Sequence, residues 1–427
     1  MHEYHHEFQI RDKRLYCERV PIERIVKQVG TPVYIYSYQT LVDHFDKLTA
    51  AFKSIQPLIC FAVKANGNLS LMKILVDRGA GLDIVSGGEL YKALRVGCPP
   101  ERIVYASVGK RPEEIREALR VGIFSFNVES FPELEAIQAE AQRSRRVARV
   151  AIRINPNVDA HTHKHITTGV KESKFGIELE AAREFILKRW HEFPSVQLLG
   201  FHLHIGSQIT QAGPFIEAIR RVGALIEDLR AAGMRIDWLN LGGGLGIVYK
   251  DEKPQTADEF AKAILPHITK LKVKLILEPG RFIVGNAGIL ATRVLYLKPA
   301  EKKQFAVVDA GMTDLIRPAL YEAYHEVVPV SVDGHAKSAE QVYDIVGPIC
   351  ESADVLAKDR RLPPLEQGTL LAIMGAGAYG FVMVSNYNGR PRPPEVIVRG
   401  DKMFVVRERE TLEDLVSRES IPAGLLK

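Results

Sequence analysis

The stretch Cys60-Phe61-Ala62-Val63-Lys64-Ala65-Asn66-Gly67 is an apolar run that ends in one lysine and then breaks at an Asn-Gly pair. A lysine at the carboxyl end of a buried strand is desolvated, which lowers its pKa and makes its amine a usable nucleophile. From this octapeptide alone, a solvated lysine that closes a strand is the simpler interpretation. The pattern of the surrounding chain decides between the two.

Short apolar runs alternate with segments of helical periodicity from this stretch onward. They predict eight strands, at Leu58–Val63, Gly81–Val85, Ile103–Ala106, Phe124–Val128, Ala148–Ile154, Leu198–His204, Trp238–Leu241 and Lys274–Leu277. This alternation predicts an α/β fold, a (β/α)8 TIM-type barrel. A doubly wound sheet would require Gly-x-Gly-x-x-Gly after the first strand, where the chain instead has Lys64-Ala65-Asn66-Gly67.

Helices are predicted between these strands. Examples are Leu69–Arg78, Gly88–Val96, Pro112–Val121 and Phe215–Ala232. Ser130-Phe131-Pro132-Glu133 has the spacing of a capping box, and Pro112 stands where a first helical turn tolerates proline.

After Gly285 the chain changes to short β segments separated by Pro, Gly and Asp. They are predicted at Ala291–Leu297, Phe305–Asp309, Val342–Val346, Thr369–Met374, Glu395–Arg399 and Met403–Arg407, with a long irregular connection around residues 321–341. Three regions are therefore expected. Residues 1–30 form an irregular lead-in with a short helix at Ile22–Val29 that packs on the β domain, residues 31–284 form the barrel, and residues 285–427 form a C-terminal all-β domain.

Composition excludes several classes of function. The chain has 427 residues, of which 46% are hydrophobic and 26% charged, and its net charge of +5 is small and spread along the sequence. Neither a nucleic-acid footprint nor a membrane-surface patch is indicated, so small-molecule partners are expected. No apolar run is long enough to span a membrane, and the His-rich residues 1–14 lack the apolar core of a signal peptide. A cytoplasmic location is expected.

In a (β/α)8 barrel the active site lies at the carboxyl ends of the strands, and the residues there are chemically unusual. They include Lys64, Asp83, Ser86, Arg153, Asn155, His202-Leu203-His204-Ile205-Gly206-Ser207, Gly242-Gly243-Gly244 and Glu278-Pro279-Gly280-Arg281. A glycine triplet alone is simply a tight loop. With Ser207 from the neighbouring strand end, it favours a phosphate site built on backbone N–H groups.

His202 and His204 are two residues apart and so share a face of their strand, which points at least one ring into the barrel mouth. A core or zinc-binding histidine is the alternative, but the nearby strand ends supply a lysine and glycines where further zinc ligands would stand. Glu278 and Arg281 flank a Pro-Gly turn, for which a surface ion pair is the simpler interpretation. A lysine, a phosphate cradle, a carboxylate and a ring that stacks on the cofactor together predict a pyridoxal phosphate site.

No metal site is predicted. The four cysteines, Cys17, Cys60, Cys98 and Cys350, are too widely spaced for a disulfide framework or a paired zinc motif. His161, His163 and His165 alternate and could bind a metal, but their segment is interpreted as a loop after the fifth strand.

The chain resembles the fold-type III pyridoxal-phosphate decarboxylases, a family related to alanine racemase. The resemblance is carried by 61–66 (FAVKAN), 173–176 (SKFG), 204–208 (HIGSQ), 241–246 (LGGGLG) and 278–281 (EPGR). Three C-terminal motifs resemble the branch of the family that acts on diaminopimelate. They are 309–321 (DAGMTDLIRPALY), 347–354 (GPICESAD) and 375–380 (GAGAYG).

The resemblance implies a role for each matching residue. The cofactor, pyridoxal 5′-phosphate, would be carried by Lys64 and contacted by His204, Ser207, Gly243, Gly244, Glu278, Gly280, Arg281 and Tyr379. Within this set, His204 stacks on the cofactor ring, Glu278 pairs with the pyridine nitrogen, and Ser207, Gly243 and Gly244 hold the phosphate with help from Tyr379. The substrate would be bound by Arg281, Arg317, Tyr321, Glu351 and Tyr379. Cys350 is expected to be the catalytic proton donor. The family acts as a homodimer in which Cys350 and Glu351 reach into the partner's active site.

The expected reaction is decarboxylation of meso-2,6-diaminopimelate to L-lysine and CO2, the last step of lysine biosynthesis. The alternative is a decarboxylase for another diamino acid or a carboxylated polyamine, of the ornithine, arginine or carboxynorspermidine type. Diaminopimelate has an amino-acid group at its far end, for which Arg317 and Arg281 suit the carboxylate and Glu351 the ammonium. A non-catalytic regulatory homologue would be expected to lack Lys64 or Cys350, and both are present.

Overall fold

The computed structural model describes residues 6–159, 174–299, 301, 303–332 and 339–425. This part of the chain divides into two compact units. Val42–Val284 forms one, and the described residues of His2–Leu41 and Gly285–Lys427 form the other. Among the described residues, no helix is both long enough and apolar enough to cross a membrane.

The first unit contains a closed parallel barrel of eight strands, as predicted. Its strands are Leu58–Ala62, Gly81–Ile84, Ile103–Tyr105, Ser125–Val128, Ala148–Asn155, Val196–His202, Trp238–Asn240 and Lys274–Leu277. Each strand pairs with the next, and the eighth pairs with the first, so that the sheet closes. A two-residue strand, Ile177–Glu178, adds to the fifth strand. The strand ends differ from the predicted ones by at most two residues.

The barrel helices follow the strands in sequence. They are Leu69–Asp77, Gly87–Arg95, Pro112–Val121, Phe131–Arg143, Leu179–Arg189, Gly213–Ala231, Ala257–Leu271 and the short Arg281–Val284, with single 3-10 turns at Val63–Ala65, Pro100–Arg102 and Trp190–Glu192. A further helix, Tyr38–Ala51, precedes the first strand.

Both predicted helix starts are present, but the capping box at Ser130 is only half formed, because the Glu133 carboxylate accepts from the Glu129 amide in place of the Ser130 amide. Ser130 Oγ accepts a hydrogen bond from the Glu133 amide at 3.3 Å, and Pro112 is the first residue of its helix. Ser86 caps the Gly87–Arg95 helix in the same way, because its Oγ accepts from the Glu89 amide at 3.2 Å. Ser86 therefore has a structural role at the end of the second strand.

The barrel strands are buried on both faces, as expected for parallel strands covered by helices. Neighbouring strands approach closely at Gly200 of the sixth strand. A Cβ atom there would lie 1.8 Å from the Trp238 carbonyl oxygen of the seventh strand. Only glycine is compatible with this strand pairing.

The second unit is built mainly from β-strands. They are Phe8–Arg11, Arg14–Cys17, Val20–Pro21, Val33–Ser37, Gly288–Pro299, Gln304–Val308, Val327–Pro329, Gln341–Val346, Val355–Leu362, Leu370–Ile373, Glu395–Arg399 and Lys402–Arg407. Short helices occur at Ile22–Val29, Arg317–Tyr321 and Leu412–Val416, with 3-10 turns at Phe381–Met383 and Tyr387–Gly389. All six predicted β segments after Gly285 are present, whereas Val327–Pro329 and Val355–Leu362 were not predicted.

Two predictions about the N-terminal region were wrong. Residues 31–41 were assigned to the barrel, but Val33–Ser37 pairs with Gly288–Pro299 and Glu395–Arg399 in the second unit. The lead-in is not irregular, because Phe8–Arg11, Arg14–Cys17 and Val20–Pro21 form a three-stranded sheet. Cys17 and Val20 of this sheet belong to one hydrophobic core of the second unit. The same core includes Ile22 and Ile35 and, from far along the chain, Ile289 and Val396.

Candidate active site

Lys64 lies in the 3-10 turn that directly follows the first barrel strand. Parallel pairing of this strand with the second places Ala62 opposite Asp83. The Lys64 amine donates to Asp83 Oδ2 at 2.6 Å. The Lys64 side chain is 33% exposed, whereas that of Asp83 is fully buried. The amine is therefore held by a buried carboxylate at the carboxyl end of the barrel and is still accessible to a ligand.

Asp83 is held in an unusual state for a carboxyl group. Burial and the charge of Glu278 raise its pKa to about 7, and Lys64 opposes this rise. Within the described residues, its Oδ1 atom has no hydrogen-bond partner. Near neutral pH, Asp83 thus exists in both charged and protonated forms.

Glu278 is a buried carboxylate that accepts three hydrogen bonds. Asn127 and Asn240 donate to Oε1 at 2.9 Å and 2.6 Å, and Oε2 lies 3.1 Å from His202 Nε2. Burial favours the protonated form, but His202, Lys64 and Asn240 outweigh it and hold the pKa of Glu278 well below its ordinary range. Glu278 is consequently a fixed negative charge.

The two predicted histidines have different positions. His202 is the last residue of its strand, is buried and contacts Glu278. His204 is half-buried, and its Nδ1 accepts from the Gly243 amide at 3.2 Å. Desolvation, Arg153 and Lys64 lower the pKa of His204 well below the ordinary value. Its ring is therefore neutral at pH 7.

The glycine segment 242–244 approaches its neighbours too closely for side chains. A Cβ atom on Gly243 would lie 2.3 Å from the Glu278 carbonyl oxygen, and one on Gly244 would lie 2.6 Å from that of Gly206. Gly244 has a φ of +110°, a conformation that favours glycine. Among the described residues, none accepts a hydrogen bond from the Gly244 amide. The Gly242 and Gly243 amides donate to Asn240 Oδ1 and His204 Nδ1, so the Gly244 amide is the one in this segment that can be presented to an anion.

Gly280 and Arg281 follow the eighth strand. A Cβ atom on Gly280 would lie 2.9 Å from the Ala65 Cβ, so glycine lets this loop pack against the turn that holds Lys64. Arg281 is buried, and it donates to Tyr249 Oη at 2.7 Å and to Ser207 Oγ at 3.0 Å. The structure thus brings Ser207 and Arg281 together beside the glycine segment, as predicted from the strand ends.

A buried ionic network lies beside this site and was not predicted. Arg153 donates to Glu129 at 2.5 Å and to the His204 carbonyl oxygen at 3.3 Å. Lys110 donates to Glu133 at 2.6 Å, and Glu133 accepts from the Glu129 amide at 2.7 Å. Lys110 also donates to the Asn127 carbonyl oxygen at 2.8 Å, which connects the network to a residue that holds Glu278.

Several functional residues were therefore missed in the sequence: Lys110, Asn127, Glu129, Glu133, Asn240 and Tyr249. A signal existed for the two asparagines, because Asn240 ends an otherwise apolar strand and Asn127 lies between Phe126 and Val128. Glu129 directly follows the fourth strand, so the strand-end criterion could have found it. Tyr249, Lys110 and Glu133 lie in loops or a helix, where polar side chains are ordinary and no such signal exists.

The other predicted site residues lie in the second unit, in loops that contact one another. Asp354 is buried and accepts from the Ile349 amide at 2.7 Å and from the Met312 amide at 2.5 Å. A Cβ atom on Gly347 would lie 2.3 Å from Asp354 Oδ2. The Asp354 carboxylate thus joins the motifs at 309–321 and 347–354. It lies so close to Gly311 of the first motif and Gly347 of the second that neither position has room for a side chain.

The predicted proton donor and substrate residues have distinct environments. Cys350 and Glu351 are adjacent and exposed on the loop that Asp354 holds. Arg317 is buried at the start of its helix, with Nη1 2.8 Å from His325 Nε2, and the half-buried Tyr321 ends the same helix. Tyr379 is half-buried and has a φ of +55°, a strained conformation that often marks a functional loop.

The alternating histidines His161, His163 and His165 lie outside the described residues, as does Ser173. Within residues 6–159, 174–299 and the described parts of 301–425, no group of three His, Cys, Asp or Glu side chains could hold a metal ion.

The chain is similar in sequence and structure to known decarboxylases. Residues 38–285 match the family model "Pyridoxal-dependent decarboxylase, pyridoxal binding domain". A diaminopimelate decarboxylase of Pseudomonas aeruginosa is 47% identical over 414 residues, which is 97% of this chain and 99% of the relative. The chain also resembles the crystal structure of diaminopimelate decarboxylase from Helicobacter pylori complexed with L-lysine. The TM-score is 0.89 at 42% identity, covering 93% of this chain and 99% of that one.

A second structure, the diaminopimelate decarboxylase of M. jannaschii in co-complex with L-lysine, is similar with a TM-score of 0.91 and 39% identity. The aligned region covers 97% of this chain and 98% of that chain. The similarity therefore extends over both units of the chain.

Proposed function

The chain belongs to the pyridoxal-dependent decarboxylase family, and we propose that it converts meso-2,6-diaminopimelate to L-lysine and CO2, the last step of lysine biosynthesis. Three relatives that match nearly the full chain, at 47%, 46% and 45% identity, are diaminopimelate decarboxylases. The observation that carries the proposal is the position of an accessible lysine, Lys64, in one barrel mouth with the fixed carboxylate of Glu278.

The residues in this mouth fit pyridoxal 5′-phosphate. Lys64 supplies an amine for the cofactor aldehyde, and Glu278 supplies a negative charge for the pyridine nitrogen. The Gly244 amide would hold the phosphate together with Ser207, and the Gly243 amide would join them by exchanging its hydrogen bond to His204 Nδ1 for one to the phosphate. The neutral ring of His204 suits stacking on the flat cofactor. Gly280, Arg281 and Tyr379 complete the proposed set.

When bound, pyridoxal phosphate accepts the electron pair that remains on Cα after the carboxylate leaves. Glu278 would keep the pyridine nitrogen protonated, because its own pKa is well below the ordinary range and it remains an anion. Asp83 holds the Lys64 amine at 2.6 Å, and its raised pKa lets it change charge together with that amine. These two carboxylates thus have separate roles.

The substrate residues are proposed from the charges of diaminopimelate. Its distal carboxylate suits Arg281 and Arg317, because guanidinium groups bind carboxylates through two parallel hydrogen bonds. Its distal ammonium suits Glu351, while Tyr321 and Tyr379 provide hydroxyl groups for the remaining polar atoms. Ornithine has no distal carboxylate, so it would offer Arg317 no anionic group to bind.

Cys350 is proposed as the proton donor to Cα. Its exposed position beside Glu351 supports a site shared between two subunits, in which both residues act in the partner's barrel. Homodimerisation would then be required for activity. We place the reaction in the cytoplasm, a proposal that the four free cysteines support.

The proposal is tested by measuring CO2 release from the purified holoenzyme with meso-diaminopimelate, ornithine, arginine and carboxynorspermidine as separate substrates. We expect CO2 and an equal amount of L-lysine from meso-diaminopimelate, and no turnover of the other three. Turnover of another substrate without turnover of diaminopimelate would overturn the proposed specificity and leave the decarboxylase family assignment intact.

A further inference from the structure

A groove of about 680 Å³ lies in the second unit, and the proposed reaction makes no use of it. It is formed where the N-terminal sheet, the start of the Tyr38–Ala51 helix and the final hairpin of Glu395–Arg399 and Lys402–Arg407 come together. Its volume is in the range of pockets that bind small molecules.

Positive charge dominates the groove. Arg11, Arg19, Arg399 and Lys402 line it, against the two carboxylates of Glu7 and Glu18. Within the described residues, Arg11, Arg399 and Lys402 have no carboxylate at ion-pair distance. Arg19 forms an ion pair with Asp401 at 3.6 Å, and both side chains are largely exposed. Cations that surround a concave surface attract anions more strongly than dispersed ones.

The negative charge of Glu18 offsets part of this positive charge, but within the described residues Glu18 forms no ion pair with these cations and has a structural role in the floor of the groove. It is buried, and its Oε1 accepts from Ser37 Oγ at 2.9 Å and from the Gln39 amide at 2.8 Å. Its Oε2 accepts from the Gly400 amide. This one carboxylate therefore holds the three segments of the groove together.

The final hairpin presents a cationic and an aromatic surface side by side. Arg399 pairs with Lys402 across the hairpin, so both share a face with Phe404, which is two residues beyond Lys402. Phe404 is 49% exposed. The Arg399 guanidinium lies 4.4 Å from the centre of the Tyr38 ring, an arrangement that orients it and leaves its N–H edge available.

We propose that this groove binds a nucleotide, with its phosphates at Arg11, Arg399 and Lys402 and its base on the exposed ring of Phe404. Arginine forks and lysine ammonium groups are the usual ligands of phosphate, and a flat base stacks on an aromatic side chain. The site is separate from the residues assigned to the cofactor and the substrate.

The test is isothermal titration of the dialysed holoenzyme with ATP, pyrophosphate and adenosine. We expect ATP to bind more tightly than pyrophosphate, with an affinity that falls as salt is added. Arg399→Ala and Lys402→Glu should each weaken ATP binding about tenfold, and Phe404→Ala should weaken ATP binding but not pyrophosphate binding. Lys358→Glu reverses the charge of an exposed lysine outside the groove and is the matched control.

Absence of ATP binding, or ATP binding that Arg399→Ala and Lys402→Glu leave unchanged, would overturn the proposal. Equal affinity for pyrophosphate and ATP would overturn the assignment to nucleotides. All three substituted side chains are exposed, and equal melting temperatures of the variants would confirm that the fold is retained.

Discussion

At the scale of single residues, two buried carboxyl groups in the barrel mouth have pKa values shifted in opposite directions. Asp83 has one oxygen bonded to Lys64 and a raised pKa of about 7, whereas Glu278 accepts from two asparagines and contacts His202. The difference arises from the number of donors each one meets. The proposed chemistry requires one carboxylate that remains charged, Glu278, and one that can change charge, Asp83.

The first prediction concerns Glu278→Gln, which keeps the shape of the side chain and removes its charge. We expect kcat for decarboxylation to fall roughly 100-fold, because the pyridine nitrogen loses its fixed anion. The measurement is kcat at equal cofactor loading, with Glu135→Gln on an exposed helix surface as the control. An unchanged kcat would show that Glu278 has only a structural role.

The second prediction concerns the effect of pH on the cofactor-free protein. The pKa of Asp83 is about 7 in the folded chain and about 3.9 in an unfolded one. Between these values the folded state keeps a proton that the unfolded state releases. The stabilisation from Asp83 is therefore complete below pH 4 and is lost as the pH rises to 7, by up to about 1.4 kcal/mol per pH unit.

Asp83→Asn removes this titration. We expect the melting temperature of the wild type, relative to that of the Asp83→Asn variant, to decrease as the pH is raised from 4 to 7. Melting curves of the two proteins across this range are the measurement. Parallel pH profiles would contradict the raised pKa.

At the scale of elements, the third and fourth strands are connected to the helices outside them by Lys110. Its amine is buried and donates to Glu133 and to the carbonyl oxygens of Ser107 and Asn127. Burial lowers the pKa of Lys110, and Glu133 and Glu129 oppose this shift. Charged groups outside the active site therefore position two residues that contact it. These are Asn127, which donates to Glu278, and Glu129, which accepts from Arg153.

The third prediction is that Lys110→Met strongly destabilises the protein, because it leaves Glu133 buried without a cation. The expected cost is about 3–5 kcal/mol, which lowers the melting temperature by roughly 10 °C. Arg111→Met is the matched control, since Arg111 is adjacent but 67% exposed, and its ion pairs should contribute under about 1 kcal/mol. Equal melting temperatures for the two variants would contradict this role of Lys110.

The elements also show what could be predicted from the sequence. The barrel strands were predictable because each is a local apolar run, and the polar residues at their ends indicated the active site. Val33–Ser37 is equally apolar, but its partners lie more than 250 residues away in the chain, so nothing local assigns it to a sheet. Lys110 and Glu133 escaped prediction because only the packing of a loop against the next helix brings their charges together.

At the scale of the whole molecule, the site residues are divided between two units. Lys64 and Glu278 lie in one, and Cys350 and Glu351 lie in the other. The proposed homodimer would combine them by placing the exposed loop of one subunit in the barrel mouth of its partner. Neither subunit alone would then contain a full active site.

The fourth prediction follows from this arrangement. Lys64→Ala and Cys350→Ala are each expected to be inactive as pure proteins. When they are mixed and allowed to exchange subunits, half of the dimers carry both changes and have one intact site, which restores up to about one quarter of wild-type activity. Mixing Lys64→Ala with Lys64→Ala/Cys350→Ala is the control. Equal activity in both mixtures would contradict a shared site.

The central claim, that the barrel mouth holds pyridoxal phosphate at Lys64, is tested most directly by borohydride reduction of the holoenzyme followed by peptide mass spectrometry. Reduction fixes the cofactor covalently to the amine that carries it. We predict the added mass on the peptide that contains Lys64, and none on Lys92 or Lys110, two further lysines that contact the strand ends and the loops after them. A label on Lys110, or on any lysine outside the first barrel turn, would contradict the account.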